Sequence, residues 1–226
     1  LNGWLKGING GTTGGDNDMG ADGNEGSHGT FARDIFGEVL NYFPDDYQSI
    51  AGSGASRFYP DLSSSELAGD FSKPLYNGFI QNSVSVINFD SLLPMNRSIG
   101  RAYRYDQANR FTEMKMLFNP GVNTALIADY NTRVEYDANS NISRMVRLMQ
   151  SGSAMDDLTY HYMSDGSNRI EFVSDVASAS AATTDIDNQS AGNYRYDASG
   201  KLTRDVAGGI TNITWNNNAT IKQLQK

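Results

Sequence analysis

The chain of 226 residues contains no cysteine. That excludes disulfide staples, thiolate nucleophiles and cysteine-ligated zinc. Histidine is scarce as well: His28 and His161 are the only two, and no nucleophile-elbow motif accompanies either, so Ser-His-Asp chemistry has no support. Positive charge is in deficit, with 18 Lys and Arg against 26 Asp and Glu for a net charge of −8. A phosphate backbone needs a basic face, so a nucleic-acid partner is not expected. No apolar run approaches the ~20 residues that cross a bilayer, so no membrane span is expected. The five prolines all fall within the first 120 residues, outside the repeats described next. Proline cannot donate to a sheet ladder, which fits that placement.

What is present is a repeat. Four times, a tyrosine-ended segment runs into a polar turn and emerges on a large apolar residue. The copies are Tyr103-Arg104-Tyr105-Asp106 through Phe111, Val134-Glu135-Tyr136-Asp137 through Ile142, Tyr160-His161-Tyr162 through Ile170, and Tyr194-Arg195-Tyr196-Asp197 through Leu202. Residues two apart on a strand share a face, so each Tyr-x-Tyr places two rings on one side and Arg104, His161 or Arg195 on the other. Asp106, Asp137 and Asp197 stand where a turn wants a carboxylate to accept the N–H two residues on. Three residues later come Asn109, Ser140 and Gly200, the slot of positive φ if the turn closes with a one-residue bulge. Serine suits that slot least, so the second copy is expected to be the most strained. The third copy carries two extra residues, and its loop is expected to bulge outward. After each turn the apolar residues recur three apart (Phe111 and Met114, Ile142 and Met145, Ile170 and Val173), which a bulge or burial on both faces would explain.

Repeated hairpins predict an all-β fold of consecutive antiparallel strands forming a curved sheet or part of a β-shell, in a single module over residues 1–226. Residues 1–75 supply N-terminal strands around a Gly/Asp-rich loop at 10–29, and the clear hairpins occupy 76–226. Leu1 to Asn9 reads as a strand with Trp4 buried. Asp34-Ile35-Phe36-Gly37 reads as a turn of the same Asp-x-x-Gly kind, and Asn77-Gly78 as a tight hairpin turn whose strands include Val84 to Phe89. Ser63 to Ala68 suits one helical turn behind a serine cap. Ile210 to Ile221 reads as one more strand, turn and strand. The opening Leu1-Asn2-Gly3-Trp4, with neither initiator Met nor signal peptide, suggests an excised piece or a mature product.

Chemical candidates are few. Asp16, Asp18, Asp22, Asn24 and Glu25 suggest calcium, but a loop beginning at Asp16 puts Ala21 at position 6 and Ser27 at position 12. One beginning at Asp18 puts Gly29 at position 12, so both registers fail and a solvated acidic loop is the reading. Asp106, Asp137 and Asp197 recur with the repeat as turn builders, which argues against a catalytic carboxylate pair. Gly10-Gly11 and Gly14-Gly15 lack the strand–helix context of a phosphate cradle. No catalytic residue, metal or cofactor is expected. The rings of Tyr103, Tyr160 and Tyr194 could stack on a glycan or a surface protein if exposed, while packing between strands is the plainer use.

Tyr105-Asp106, Tyr136-Asp137 and Tyr196-Asp197, each followed by Asn, Ser or Gly and then an apolar residue, resemble the YD-repeat (Rhs-repeat) family. Tyr162-Met163 departs from the pattern by losing the Asp. Tyr76-Asn77-Gly78-Phe79-Ile80 and Leu1 to Asn9 also look like segments of such bacterial polypeptides. The resemblance implies a long secreted or cell-surface polypeptide whose hairpins coil into a hollow shell, as in toxin-enclosing bacterial members and the related barrel of teneurins. Partners would then be other segments of a larger repeat polypeptide. The self-cleaving core of the family has no counterpart here, so neither toxin nor protease activity is implied. An open sheet leaves strand edges that can recruit a second copy, so a homo-oligomer through those edges is also expected.

Overall fold

A computed structural model describes residues 3–11, 30, 34–47, 71, 73–87, 98–118, 125–150, 152–177 and 186–226. The acidic cluster Asp16 to Glu25, His28 and the Ser63–Ala68 turn lie outside the described residues. No α-helix occurs among the described residues, and the chain is all-β. The described residues contain thirteen strands in order: β1 (Gly7–Ile8), β2 (Phe36–Asn41), β3 (Asn82–Ile87), β4 (Ser98–Tyr105), β5 (Phe111–Phe118), β6 (Ala125–Tyr136), β7 (Ile142–Leu148), β8 (Ala154–Tyr162), β9 (Ile170–Asp175), β10 (Tyr194–Tyr196), β11 (Leu202–Asp205), β12 (Asn212–Trp215) and β13 (Ile221–Gln225). Strand order in the nine-stranded sheet follows chain order, and β10–β11 and β12–β13 are two-stranded ribbons. The chain divides into two compact units, Leu1–Asn131 and Thr132–Lys226. That boundary lies inside β6. Each unit is taken by itself.

In the first unit, alternation puts Val39, Val84, Ala102 and Leu117 on one face, where they form a buried cluster with Phe71. Lys115 Nζ lies 4.5 Å from the centre of the Phe71 ring and the Arg104 guanidinium 5.7 Å, so the ring covers apolar residues and carries cations over its face.

Three sequence expectations fail in this unit. The N-terminal strand is only Gly7–Ile8, and Trp4 is exposed at 37%, its ring 5.0 Å from that of Tyr42. Asp34-Ile35-Phe36-Gly37 is not a turn. Gly37 sits within β2, where an added Cβ would lie 2.5 Å from the carbonyl oxygen of Gly10, so this glycine permits close backbone approach. Asn77-Gly78 does turn, with Gly78 at φ 87 and the Phe79 N–H donating to Asn77 Oδ1 at 3.1 Å. It lies in the connection between β2 and β3, though, and no strand ends at Tyr76 to pair with β3. β3 pairs instead with β2 (Val39↔Val84) and β4 (Val84↔Gly100).

In the second unit, β7, β8 and β9 pair in sequence, with Met145, Leu158, Tyr160 and Val173 sharing a face. The other face is polar. Arg144 holds Asp157 through two hydrogen bonds of 2.7 and 2.8 Å, and His161 stacks on Phe172 at 4.0 Å while bonding the Ser174 hydroxyl at 2.9 Å. Side-chain amides meet the ladder groups of β9. The Val173 N–H donates to Gln189 Oε1 at 2.9 Å, its carbonyl accepts the Gln189 N–H at 3.0 Å, and the Asp175 N–H donates to Asn188 Oδ1 at 3.1 Å. These bonds satisfy groups that would otherwise recruit a foreign strand.

Candidate functional site

Among the described residues the hairpin tips recur, and their geometry is nearly invariant. Asp106 Oδ1 accepts the N–H groups of Ala108 and Arg110, both at 2.9 Å. Asp137 does the same for Asn139 and Asn141, both at 2.8 Å, and Asp197 for Ser199 at 2.8 Å and Lys201 at 2.9 Å. The third residue after each aspartate has a positive φ, 61° at Asn109, 67° at Ser140 and 80° at Gly200. Ser140 keeps the hydrogen bonds of its neighbours, its N–H reaching the Asp137 carbonyl at 3.1 Å. Whatever that copy costs is therefore in the backbone angle, not in broken bonds.

The ladder slips by one residue directly behind each tip, between Arg104/Tyr105, Glu135/Tyr136, His161/Tyr162 and Arg195/Tyr196. Tyr105 faces Phe111 while Arg104 faces Glu113, leaving Thr112 as the extra residue. This bulge is why apolar residues three apart share a face: Phe111 opposes Tyr105, and Met114 opposes Tyr103. In the third copy the closing bond runs from the Met163 N–H to the Arg169 carbonyl at 2.8 Å, and Asp165 has taken over the acceptor role for Ser167 N–H at 2.9 Å. The two inserted residues change the tip and leave the slip in place.

A fifth copy closes the series. Asn216 N–H donates to the Thr220 carbonyl at 2.9 Å, Ala219 stands at φ 63, and the ladder slips at Thr214/Trp215. Here Trp215 replaces the tyrosine and Asn216 the aspartate. Between β7 and β8, Met149 to Ser153 builds the same closed turn with Gly152 at φ 73 and a slip at Arg147/Leu148. The aspartate therefore reinforces a turn that the backbone can make without it.

The rings preceding four of the tips have a partner that the sequence does not announce. Tyr162 Oη donates to the Ile142 carbonyl at 2.7 Å, Tyr196 Oη to the Ile170 carbonyl at 2.9 Å, and Trp215 Nε1 to the Leu202 carbonyl at 2.7 Å. Each acceptor is the first residue after the preceding tip of the repeat. Tyr105 Oη makes the equivalent bond to the Ile80 carbonyl at 3.1 Å, with Gly78 in the positive-φ slot two residues before it. The side chain just ahead of the acceptor then covers the ring: Phe79 stacks on Tyr105 at 5.0 Å, Arg169 lies 5.7 Å from the centre of Tyr196, and Lys201 5.9 Å from that of Trp215. These rings stitch one hairpin to another. Burial raises the phenol pKa of Tyr105, Tyr162 and Tyr196, with smaller contributions from neighbouring Tyr103, Asp137 and Tyr194 respectively.

The rings considered for ligand stacking are placed otherwise. Tyr103, Tyr160 and Tyr194 are all half-buried. Tyr103 Oη bonds the Ser83 hydroxyl at 3.2 Å and its ring meets Phe111 edge-on at 6.4 Å. Tyr194 Oη accepts from Gln189 Nε2 at 3.0 Å. None is a flat exposed platform.

Two buried polar groups were not legible in the sequence. Asp156 is fully buried in β8. Its Oδ2 accepts from Arg147 Nε at 2.7 Å while its Oδ1 accepts no hydrogen bond. Lys6, Asn41, Asp46 and Asn82 form the other cluster, with Asn41 and Asn82 joined at 2.7 Å. Among the described residues, no three His, Cys, Asp or Glu side chains converge as a metal-binding set, and no helix is long and apolar enough to cross a membrane. A scan against protein-family models finds no match, and no curated protein matches the chain.

Proposed function

We propose that this chain is a non-catalytic structural segment of a YD-repeat (Rhs-type) polypeptide, secreted or held at a cell surface. In this role its hairpins form part of a wall that encloses cargo or spaces other modules. The observation that carries the reading is the stitch: in four places an aromatic donor ahead of one tip bonds the carbonyl behind an earlier one. These rings are thereby spent on joining repeat to repeat. The partners that suit such a wall are further segments of the same kind, or a second copy meeting a strand edge.

The rival reading is an adhesion module that binds glycans or a surface protein through Tyr103, Tyr160 and Tyr194. Their half-burial argues against stacking. A glycan array probed with the whole chain separates the two. The wall predicts no specific binding. Specific binding that disappears when these three tyrosines are replaced by alanine, in a chain that still folds, would establish the adhesion module instead.

A further inference from the structure

The cluster at the end of β2 has the composition of a covalent cross-link. The Leu40 N–H donates to the Lys6 carbonyl at 2.8 Å, and Gly7 pairs with Val39, which sets Lys6 beside β2. Lys6 Nζ reaches Asn41 Oδ1 and Asp46 Oδ1, each at 2.5 Å. With a carbonyl bond of about 1.23 Å, Nζ lies within roughly 3.7 Å of Asn41 Cγ, near the 3–3.5 Å of a near-attack arrangement. All three groups are withdrawn from water. Asn41 is 1% exposed, and the side chains of Lys6 and Asp46 are 14% and 5% exposed. Both acceptors are held in place: Asn41 Nδ2 donates to Asn82 Oδ1, and Asp46 Oδ2 accepts the Tyr42 N–H at 2.8 Å. The Tyr42 hydroxyl donates to the Leu5 carbonyl at 2.8 Å and its ring packs on Trp4, which closes the cluster on that side.

We propose that Lys6 and Asn41 join in an intramolecular amide bond, with Asp46 as the catalytic proton carrier. Asp46 takes a proton from the Lys6 ammonium, and the freed Nζ lone pair attacks Asn41 Cγ. Asp46 delivers that proton to Nδ2 as the Cγ–Nδ2 bond breaks, and a second Nζ proton moves to Asp46 as the new amide forms. Ammonia departs with this proton as ammonium, leaving Asp46 a carboxylate again. A primary amine and a carboxamide thus become a secondary amide and ammonia, with nothing oxidised or reduced. The bond would tie the N-terminal segment to β2 in a chain that has no cysteine for the purpose, closing a loop across residues 7–40. A closed loop stabilises by restricting the unfolded chain.

The whole chain, purified folded, is weighed by intact mass spectrometry and then mapped by proteolysis. The expected mass is below that of the sequence by one ammonia, with the peptides containing Lys6 and Asn41 recovered as one branched species. Lys6→Arg and Asp46→Asn each restore the full mass, and their urea midpoints fall below that of the parent. A mass equal to the sequence overturns the proposal. So does ammonia loss traced to a succinimide at Asn77-Gly78 with the two peptides separate, or loss of one water placing the bond at Asp46.

Discussion

Replacing Tyr196 by phenylalanine isolates the stitch. The substitution removes one hydroxyl and leaves the ring under Arg169, so what is lost is the 2.9 Å bond to the Ile170 carbonyl. A net hydrogen bond contributes about 1 kcal/mol. Tyr196 and Ile170 are both half-buried, so water can reach the orphaned carbonyl and the loss stays near that figure. With a urea slope of about 2 kcal/mol/M, the unfolding midpoint should fall by roughly 0.5 M. Tyr196→Ala also removes the ring and should cost about 2–3 kcal/mol, somewhat below the range for a fully buried aromatic. Tyr76, 71% exposed, provides the control: Tyr76→Phe should stay within about 0.5 kcal/mol of the parent. Hydrogen exchange should locate the Tyr196→Phe effect in β9 to β11. If Tyr196→Phe and Tyr76→Phe melt alike, the hydroxyls are ornaments on packed rings and the stitch is not what joins the repeats.

Two further outcomes follow from the tips. Ser140→Gly should raise stability by roughly 0.5–1 kcal/mol by relieving φ 67, and Gly200→Ala should lower it by roughly 1 kcal/mol, both read from urea midpoints. A Cβ at Gly200 would meet nothing within 4 Å, so that loss is a backbone effect alone. Acid is the second. Asp106 is held below its ordinary 3.8 chiefly by the Arg110 N–H and Asp157 by Arg144, while Asp165 is held at about 2 by the Ser167 hydroxyl and N–H and then by Arg169. A depressed carboxylate contributes stability that is present above the unfolded pKa and lost as pH falls through the folded one. Calorimetry should therefore show the melting temperature declining from about pH 4 towards pH 2, and Asp165→Asn should lower it at pH 7 and by progressively less as the pH falls to 2.

The tips were legible because their chemistry is local. An aspartate, the N–H groups two and four residues on, and a residue tolerating positive φ all lie within one pentapeptide. The same locality misled at Asp34-Ile35-Phe36-Gly37, where an identical spelling serves a strand, and only the approach of the Gly10 carbonyl explains the glycine. In the sequence the fifth tip is legible as a turn but not as a copy, since Trp215, Asn216 and Ala219 each replace the residue that marks the others. The stitches were hidden for another reason: a backbone carbonyl 13 to 26 residues away carries no signature of its own. The cluster of Lys6 with Asn41, Asp46 and Asn82 depends likewise on pairing of strands distant along the chain.

The third tip has a practical consequence. It carries two more residues than its counterparts, yet the ladder behind it slips at His161/Tyr162 just as the others do, and Tyr162 still reaches Ile142. Length at the apex is thus uncoupled from the register below it. Residues 164–168 form a natural splice point, where a foreign epitope or a protease tag can be grafted while the surrounding ribbons keep their alignment.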